Sequence, residues 1–191
     1  MPPLVQAVRS QLLSSGPPSP RVTGVKQRDV IVMDDAEIDR FLSSQRSSTI
    51  ATLGPQSQIH LVGMWYAWFD GHLWFETKPK SQKVRNLRRN DRLTFLVEAG
   101  HTYDQLRGVS MEGRGVIVED DPVLLERVCL QIFERYNAPY TPELKPFLDL
   151  MMHNRVVIRL DIERARTWDH RKLGLPAIEL GGTTAASTQG T

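Results

Sequence analysis

Cysteine is almost absent from this chain. A single one, Cys129, occurs among 191 residues, which excludes an internal disulfide and any zinc cage built from cysteines. It falls in the apolar pattern Val123, Leu124, Val128, Ile132, so it reads as a buried structural thiol rather than a nucleophile. Long apolar runs are missing too: none approaches the ~20 residues that a bilayer-crossing helix requires. The Pro-rich stretch Pro17 to Pro20 lacks an apolar segment beside a cleavage site. The N-terminus therefore does not read as a signal peptide, and a cytoplasmic location is expected. Net charge is small as well. A surplus of +2 makes no case for nucleic acid, so the informative quantity is where the charges cluster. The five histidines, His60, His72, His101, His153 and His170, show no metal-ligand spacing, and His60 and His72 read as surface residues near turns. No Ser–His–Asp or Cys–His arrangement can be defended from spacing.

What is present fits one domain with a real core. Hydrophobic residues make up 40% and charged residues 24%, ordinary values for a globular protein of this length. Residues 1–28, rich in Pro, Ser and Gln, are expected to be a loosely ordered extension in which Leu4 to Leu13 form at most a short helix. Residues 29–176 are the folded domain, and 177–191 a flexible tail. Asp34 with Glu37 makes a capping box for a helix whose stripe is Ile38, Phe41 and Leu42. Thr49–Leu53 reads as a strand closed by the turn Gly54-Pro55-Gln56-Ser57. One long strand is predicted over Ile59–Phe69, and Asp70-Gly71 is a type I′ hairpin signal leading into His72–Thr77. Strands follow over Leu93–Glu98 and Val109–Val118, the latter interrupted by Gly113 and Gly115, which mark a bulge or barrel corner. Asp121-Pro122 opens a helix to Tyr136 and Thr141-Pro142 another to Met152. Val156–Leu160 and Ala165–Asp169 are the last strands. This pattern implies a mainly β protein, a small antiparallel barrel with peripheral helices. Trp65, Tyr66, Trp68 and Phe69 place aromatics on both faces, so a second subunit is expected to cover one of them and the chain to be a homodimer.

The segment from Lys78 to Arg92 carries the functional signal. Seven of the chain's 24 cationic side chains lie in these fifteen residues, against one acid, Asp91. Ser81 is a natural N-cap, and Val84 and Leu87 give the short helix after it a narrow apolar face. Lys78, Lys80 and Lys83 crowd the helix N-terminus, where the macrodipole already places positive charge. An anion at that end, a phosphate in particular, accounts for the arrangement.

Several stretches together resemble the flavin/deazaflavin oxidoreductase superfamily, the split β-barrel proteins related to pyridoxamine 5′-phosphate oxidase. They are Thr49-Ile-Ala-Thr-Leu, Gly63-Met-Trp-Tyr-Ala with Asp70-Gly71, Glu76-Thr-Lys-Pro-Lys-Ser-Gln-Lys, and Asn86-Leu-Arg-Arg. Thr102-Tyr-Asp-Gln-Leu-Arg-Gly-Val-Ser, Glu112-Gly and Trp168-Asp-His-Arg-Lys-Leu-Gly-Leu-Pro add to them. The likeness spans Asp35 to Pro176. Within the superfamily the chain is most similar to the actinobacterial branch that binds coenzyme F-420, an 8-hydroxy-5-deazaflavin. Members of that branch are homodimers with one cofactor in each of two clefts at the subunit interface.

The resemblance implies that Thr77, Lys78, Ser81 and Lys83 hold the cofactor's phosphate, with Asn86 as a weaker contact one turn on. It implies that the strand Val62, Gly63, Met64, Trp65 runs along the deazaflavin ring, where a residue without a side chain suits close approach. Trp168, on the C-terminal strand, becomes a candidate lid from the other subunit, and Arg88 and Arg89 become candidates for the cofactor's polyglutamate tail. Tyr103 and Asp104, in a polar segment between strands, read first as structural loop residues and second as lining of the substrate cleft. His170 is a candidate ligand contact beside that cleft, while Trp68 and Trp74 read as core. Two departures matter. Val62–Tyr66 contains no basic residue where true pyridoxamine phosphate oxidases have an Arg…Lys pair, and Trp168-Asp169-His170-Arg171 does not reproduce their Arg-x-His motif. FMN therefore ranks behind the deazaflavin. The implied function is a reductase that transfers hydride from the reduced cofactor to an unsaturated or electrophilic small molecule, with no catalytic side chain and no metal singled out. A deazaflavin-storage protein and an FMN protein are the alternatives; neither membrane nor nucleic acid is an expected partner.

Overall fold

The computed structural model describes residues 27–180. The predicted helix over Leu4 to Leu13 and the tail from Gly181 onward lie outside those residues. At the start of the described chain Gln27–Val30 form a helical turn. Helix α1 (Asp35–Ser44) begins as its capping box predicts. Asp34 Oδ1 accepts from the Glu37 N–H at 2.8 Å, and Glu37 Oε2 accepts from the Asp34 N–H at 2.8 Å, a cap worth about 1 kcal/mol.

Seven strands form one antiparallel sheet: β1 (Ser48–Leu53), β2 (Ile59–Gly63), β3 (Ala67–Phe69), β4 (His72–Thr77), β5 (Arg92–Ala99), β6 (Arg107–Val118) and β7 (Val156–Asp169). Their order is β2-β1-β5-β6-β7-β4-β3. Strands β2 and β3 are thus opposite edges of the sheet although only Met64, Tyr66 and the intervening Trp65 separate them. Laid flat, edges six strand spacings apart would be about 29 Å from one another. The connection from Gly63 to Ala67 reaches at most about 14 Å. The sheet therefore rolls up until its edges approach, without hydrogen bonds closing it, and the result is a split barrel. The long strand predicted over Ile59–Phe69 is accordingly two strands, broken where the chain leaves one edge for the other. Tyr66 turns inward at this break and is fully buried, its Oη 2.8 Å from the Leu42 carbonyl oxygen.

Other details follow local chemistry. Asp70 and Gly71 both adopt positive φ, 53° and 70°, as a type I′ hairpin demands. The β6–β7 register shifts between Glu112 and Gly113. A side chain at Gly113 would start 2.0 Å from the Asp161 carbonyl oxygen, so glycine is what lets the bulge form. The two terminal strands expected from the sequence are one continuous β7, bent by that bulge instead of interrupted. The segment after Thr141 begins as a 3₁₀ turn, Pro142–Leu144, before the α-helix Lys145–Met152.

Ile50, Phe75, Phe95, Met111, Ile158 and Leu160 fill the barrel. One opening is covered by Phe41 and Leu42 of α1, and Val84 and Leu87 of α2 (Gln82–Arg89) pack into the same core. Outside the barrel, α3 (Pro122–Tyr136) lays Val128 and Ile132 on Trp74 and Val157, and Cys129 and Phe133 meet Leu148 of α4 (Lys145–Met152). Cys129 is fully buried, which pushes its thiol up to about 12: a structural thiol. Trp74 is core, as predicted, and Trp68 packs half-buried against the barrel core while donating its indole N–H to Asp39 Oδ1 at 2.8 Å. Among the described residues no helix is long and apolar enough to cross a membrane.

Candidate functional site

Strand β4 ends at Thr77, and the chain turns through Lys78–Lys80 before Ser81 opens α2. This strand–turn–helix unit brings three side chains together. Thr77 is buried, its Oγ1 accepting from Lys83 Nζ at 3.1 Å and lying 3.3 Å from Ser81 Oγ. Ser81 has the extended backbone of an N-cap but makes no side-chain cap bond; its hydroxyl faces Thr77 instead. The first-turn N–H groups of α2 are left without a side-chain acceptor, and they point, with the helix dipole, toward the same cluster. Lys78 and Lys80 are exposed on the approach.

Burial holds the Lys83 ammonium below the ordinary lysine range, against the pull of Glu76. Burial likewise raises the Glu76 carboxyl, against the attraction of Arg155 and Lys83. Arg155 Nε lies 3.2 Å from Glu76 Oε2, close enough for an ion pair but not aligned to donate, so that oxygen is buried without a hydrogen bond. Lys83 is thus partly desolvated, resting on a neutral hydroxyl, with its nearest acid already shared. An anion placed between Lys83, Ser81 and the helix N-terminus satisfies all of these donors.

The other basic residues of the segment are committed elsewhere. Arg88 pairs with Glu119 at 2.5 Å, and Arg89 donates to the Leu53 carbonyl. Each guanidinium thus has one partner across the fold and keeps further N–H donors. Asn86 is fully buried and donates to Thr52 Oγ1 at 2.9 Å while accepting from Gln82 at 2.8 Å. It ties α2 to β1 through Thr52.

That tie connects the cluster to the second predicted element. Thr49, three residues from Thr52, pairs with Gly63, a separation of about 10 Å along β1. Gly63 is exposed on the edge strand β2 and has no positive φ. A Cβ there would meet only the Ser48 carbonyl oxygen at 3.8 Å, ordinary contact. Nothing within the fold requires this glycine. Val62 and Met64 pack against the barrel core, leaving the backbone beside Gly63 open. Trp65 is 51% exposed, with one face stacked on Tyr136 at 4.8 Å and 12° between planes.

Trp168 lies on the outer face of β7, its ring seated over Gly108, where a Cβ would stand 2.3 Å from it. His170 Nδ1 is 2.9 Å from the Tyr103 carbonyl oxygen with the two rings 4.4 Å apart, and Tyr103 is exposed. Asp104 is buried and accepts from the side chain of Gln105. Its other oxygen, Oδ1, is buried without a hydrogen bond, while the Thr102 and Gln105 side chains beside it hold the carboxyl below the usual range. The site contains residues that sequence reasoning passed over. Arg155 pairs with Glu76 beside Lys83, and Tyr136 supports Trp65; Arg155 and Tyr136 come from distant segments with no local signal. His60 is half-buried on β2, opposite Thr52, with a buried Nδ1 that makes no hydrogen bond. It is not the surface residue its turn-side position predicts, because the even residues of β2 face inward.

The sequence profile of the pyridoxamine 5′-phosphate oxidase family matches residues 34–169. A conserved hypothetical protein from Mycobacterium tuberculosis is 55% identical, covering 84% of this chain and 100% of its own, with a TM-score of 0.79. An F420 reductase is similar at 24% identity over 67% of this chain and 94% of that one, with a TM-score of 0.53. A FAD-binding protein from Mesorhizobium loti is similar at 20% identity, 71% and 94% coverage, and a TM-score of 0.54. The last two likenesses are of fold. No curated protein matches the chain.

Proposed function

The chain belongs to the pyridoxamine 5′-phosphate oxidase family, and within it we propose that the protein is an oxidoreductase dependent on the deazaflavin coenzyme F-420. The observation that carries this reading is the cluster of Thr77, Ser81 and Lys83 at the uncapped N-terminus of α2. Its donors fit a phosphate: two hydroxyls, one ammonium and the free backbone N–H groups of a helix's first turn. The open backbone at Gly63, about 10 Å along β1 from the Asn86-bound Thr52, suits a flat ring held by its far end. FMN fits less well, since Val62–Tyr66 supplies no cation. The fold shared with an F420 reductase is consistent with the same choice.

When bound, the deazaflavin supplies a hydride, and its lack of nitrogen at position 5 favours reduction of an acceptor over reaction with oxygen. The chain's own work is then binding and orientation. Lys83, Thr77 and Ser81 anchor one end; Gly63 admits the ring; Val62 and Met64 fix the strand from the core side; Trp65, braced by Tyr136, bounds the cleft. A second subunit is proposed to close it. Ile59 and Leu61 of β2 are 69% and 66% exposed beside Gly63, and burying such a patch favours a homodimer. Sedimentation of the purified chain tests that part, with a monomer as the contrary result. The test of function is oxidation of reduced F-420, followed optically, against quinones and enones. Turnover with an acceptor supports the reductase, and tight binding without turnover on any acceptor points instead to a storage role.

A further inference from the structure

A second cation-lined cavity lies far from the phosphate cluster. It has a volume of about 180 Å³ and sits between α1 and the start of β6. Arg107, on its wall, is eight residues along β6 from Gly115, against which Leu87 of α2 packs. That is about 26 Å of strand, so the two sites are at opposite ends of the barrel.

The charges around this cavity do not balance. Asp169 is buried, and Arg171 occupies both of its oxygens, at 2.8 Å and 2.6 Å. Glu37 is taken by Lys172 at 2.6 Å and by the α1 cap. Both acids on the wall are therefore neutralised by other partners. Arg107 and Arg40 also line the space, and neither makes a hydrogen bond or ion pair with its side chain among the described residues. Arg107 lies instead with its guanidinium 5.6 Å from the centre of the Phe41 ring. Burial and the like charge of Arg171 hold it below the ordinary arginine range, against the attraction of Asp169. The rest of the lining is the Ser44 hydroxyl and two apolar side chains, Met33 and Phe41, both almost wholly buried yet bordering the cavity.

We propose that this cavity binds the carboxylate of a small organic acid, with Arg107 and Arg40 holding the carboxylate and Met33 and Phe41 receiving the acid's apolar body. A guanidinium fork matches a carboxylate in two parallel hydrogen bonds. The two apolar residues, Met33 and Phe41, distinguish such an acid from inorganic phosphate, which has no apolar part to place against them. The volume is below the usual range of sites for drug-sized ligands, which selects a small acid over a nucleotide. This site is independent of the phosphate cluster and of the cofactor reading.

Isothermal titration of the full chain with benzoate tests the assignment. Benzoate is expected to bind, and Arg107→Gln to weaken it by about tenfold or more. Arg107→Lys, which keeps charge but loses the fork, should restore only part of the affinity. Lys83→Ala should leave benzoate binding unchanged. The exposed Arg40→Gln provides a second variant with no packing role, expected to weaken benzoate less than Arg107→Gln does. Absence of benzoate binding, or equal affinity in wild type and both glutamine variants, overturns the proposal. Inorganic phosphate binding at Arg107 as tightly as benzoate overturns the carboxylate assignment.

Discussion

Lys83→Ala is the perturbation that bears most directly on the phosphate cluster. Lys83 donates to Thr77 Oγ1 at 3.1 Å and is half-buried at the N-terminus of α2. A hydrogen bond from an ammonium to an anionic oxygen is worth about 1.5–3 kcal/mol, and each 1.4 kcal/mol is about tenfold in affinity. The variant should therefore bind a phosphate-bearing deazaflavin about tenfold to a hundredfold more weakly. The fold should not suffer. Burial disfavours the Lys83 charge, Thr77 still faces Ser81, and Val84 and Leu87 still anchor the helix, so stability should change by only about 0.5 kcal/mol. Fluorescence titration of F-420 gives the affinity and a thermal melt gives the fold. Lys80→Ala, which removes an exposed cation of the same segment, is the control and should have a much smaller effect, falling with added salt. Unchanged affinity in Lys83→Ala with an unchanged melt would refute the reasoning, because the anion would then be held elsewhere.

The same residue sets a pH dependence. Only the charged ammonium attracts phosphate, and its pKa is lowered by burial, so cofactor affinity should fall as pH rises through that lowered value. Stability of the free protein should move the other way. Over the interval between the native and ordinary lysine values the unfolded chain holds the proton and the native chain does not, so stability rises with pH there. Lys83→Met should flatten both trends in titrations and melts at alkaline pH. Gly63→Val meets no close neighbour within the chain and should leave the monomer's fold intact while abolishing deazaflavin binding; a bound cofactor in that variant removes Gly63 from the ring site. Asn86→Ala should cost about 1–3 kcal/mol by denaturant unfolding, since it strands the buried Thr52 hydroxyl. A loss of affinity without a loss of stability would return Asn86 to the list of ligand contacts.

Local signals in the sequence translated well into structure, and long-range ones did not. The Asp34–Glu37 box and the Asp70-Gly71 turn each depend on residues a few positions apart, and both form; the bulge forms because Gly113 itself lacks a side chain where β7 crosses it. The break at Met64–Tyr66 was hidden because apolar side chains run continuously through it: Val62 and Met64 face the core, and Tyr66 is swallowed by it. The placement of Ser81 and Lys83 beside Thr77 was legible, since strand end, turn and helix start are contiguous. The fates of Asn86, Arg88 and Arg89 were not, because Thr52, Glu119 and the Leu53 carbonyl are brought to them only by sheet order. Charge density along the chain overstates the site for the same reason. Of the distal arginines, those with an acid or carbonyl across the fold serve the fold.

The most direct test of the account is a titration of the purified chain with coenzyme F-420 and, separately, with FMN, each followed by fluorescence. Saturable binding of F-420 at one per chain, clearly tighter than FMN, is the expected result. Failure to bind F-420, or preference for FMN, would contradict it.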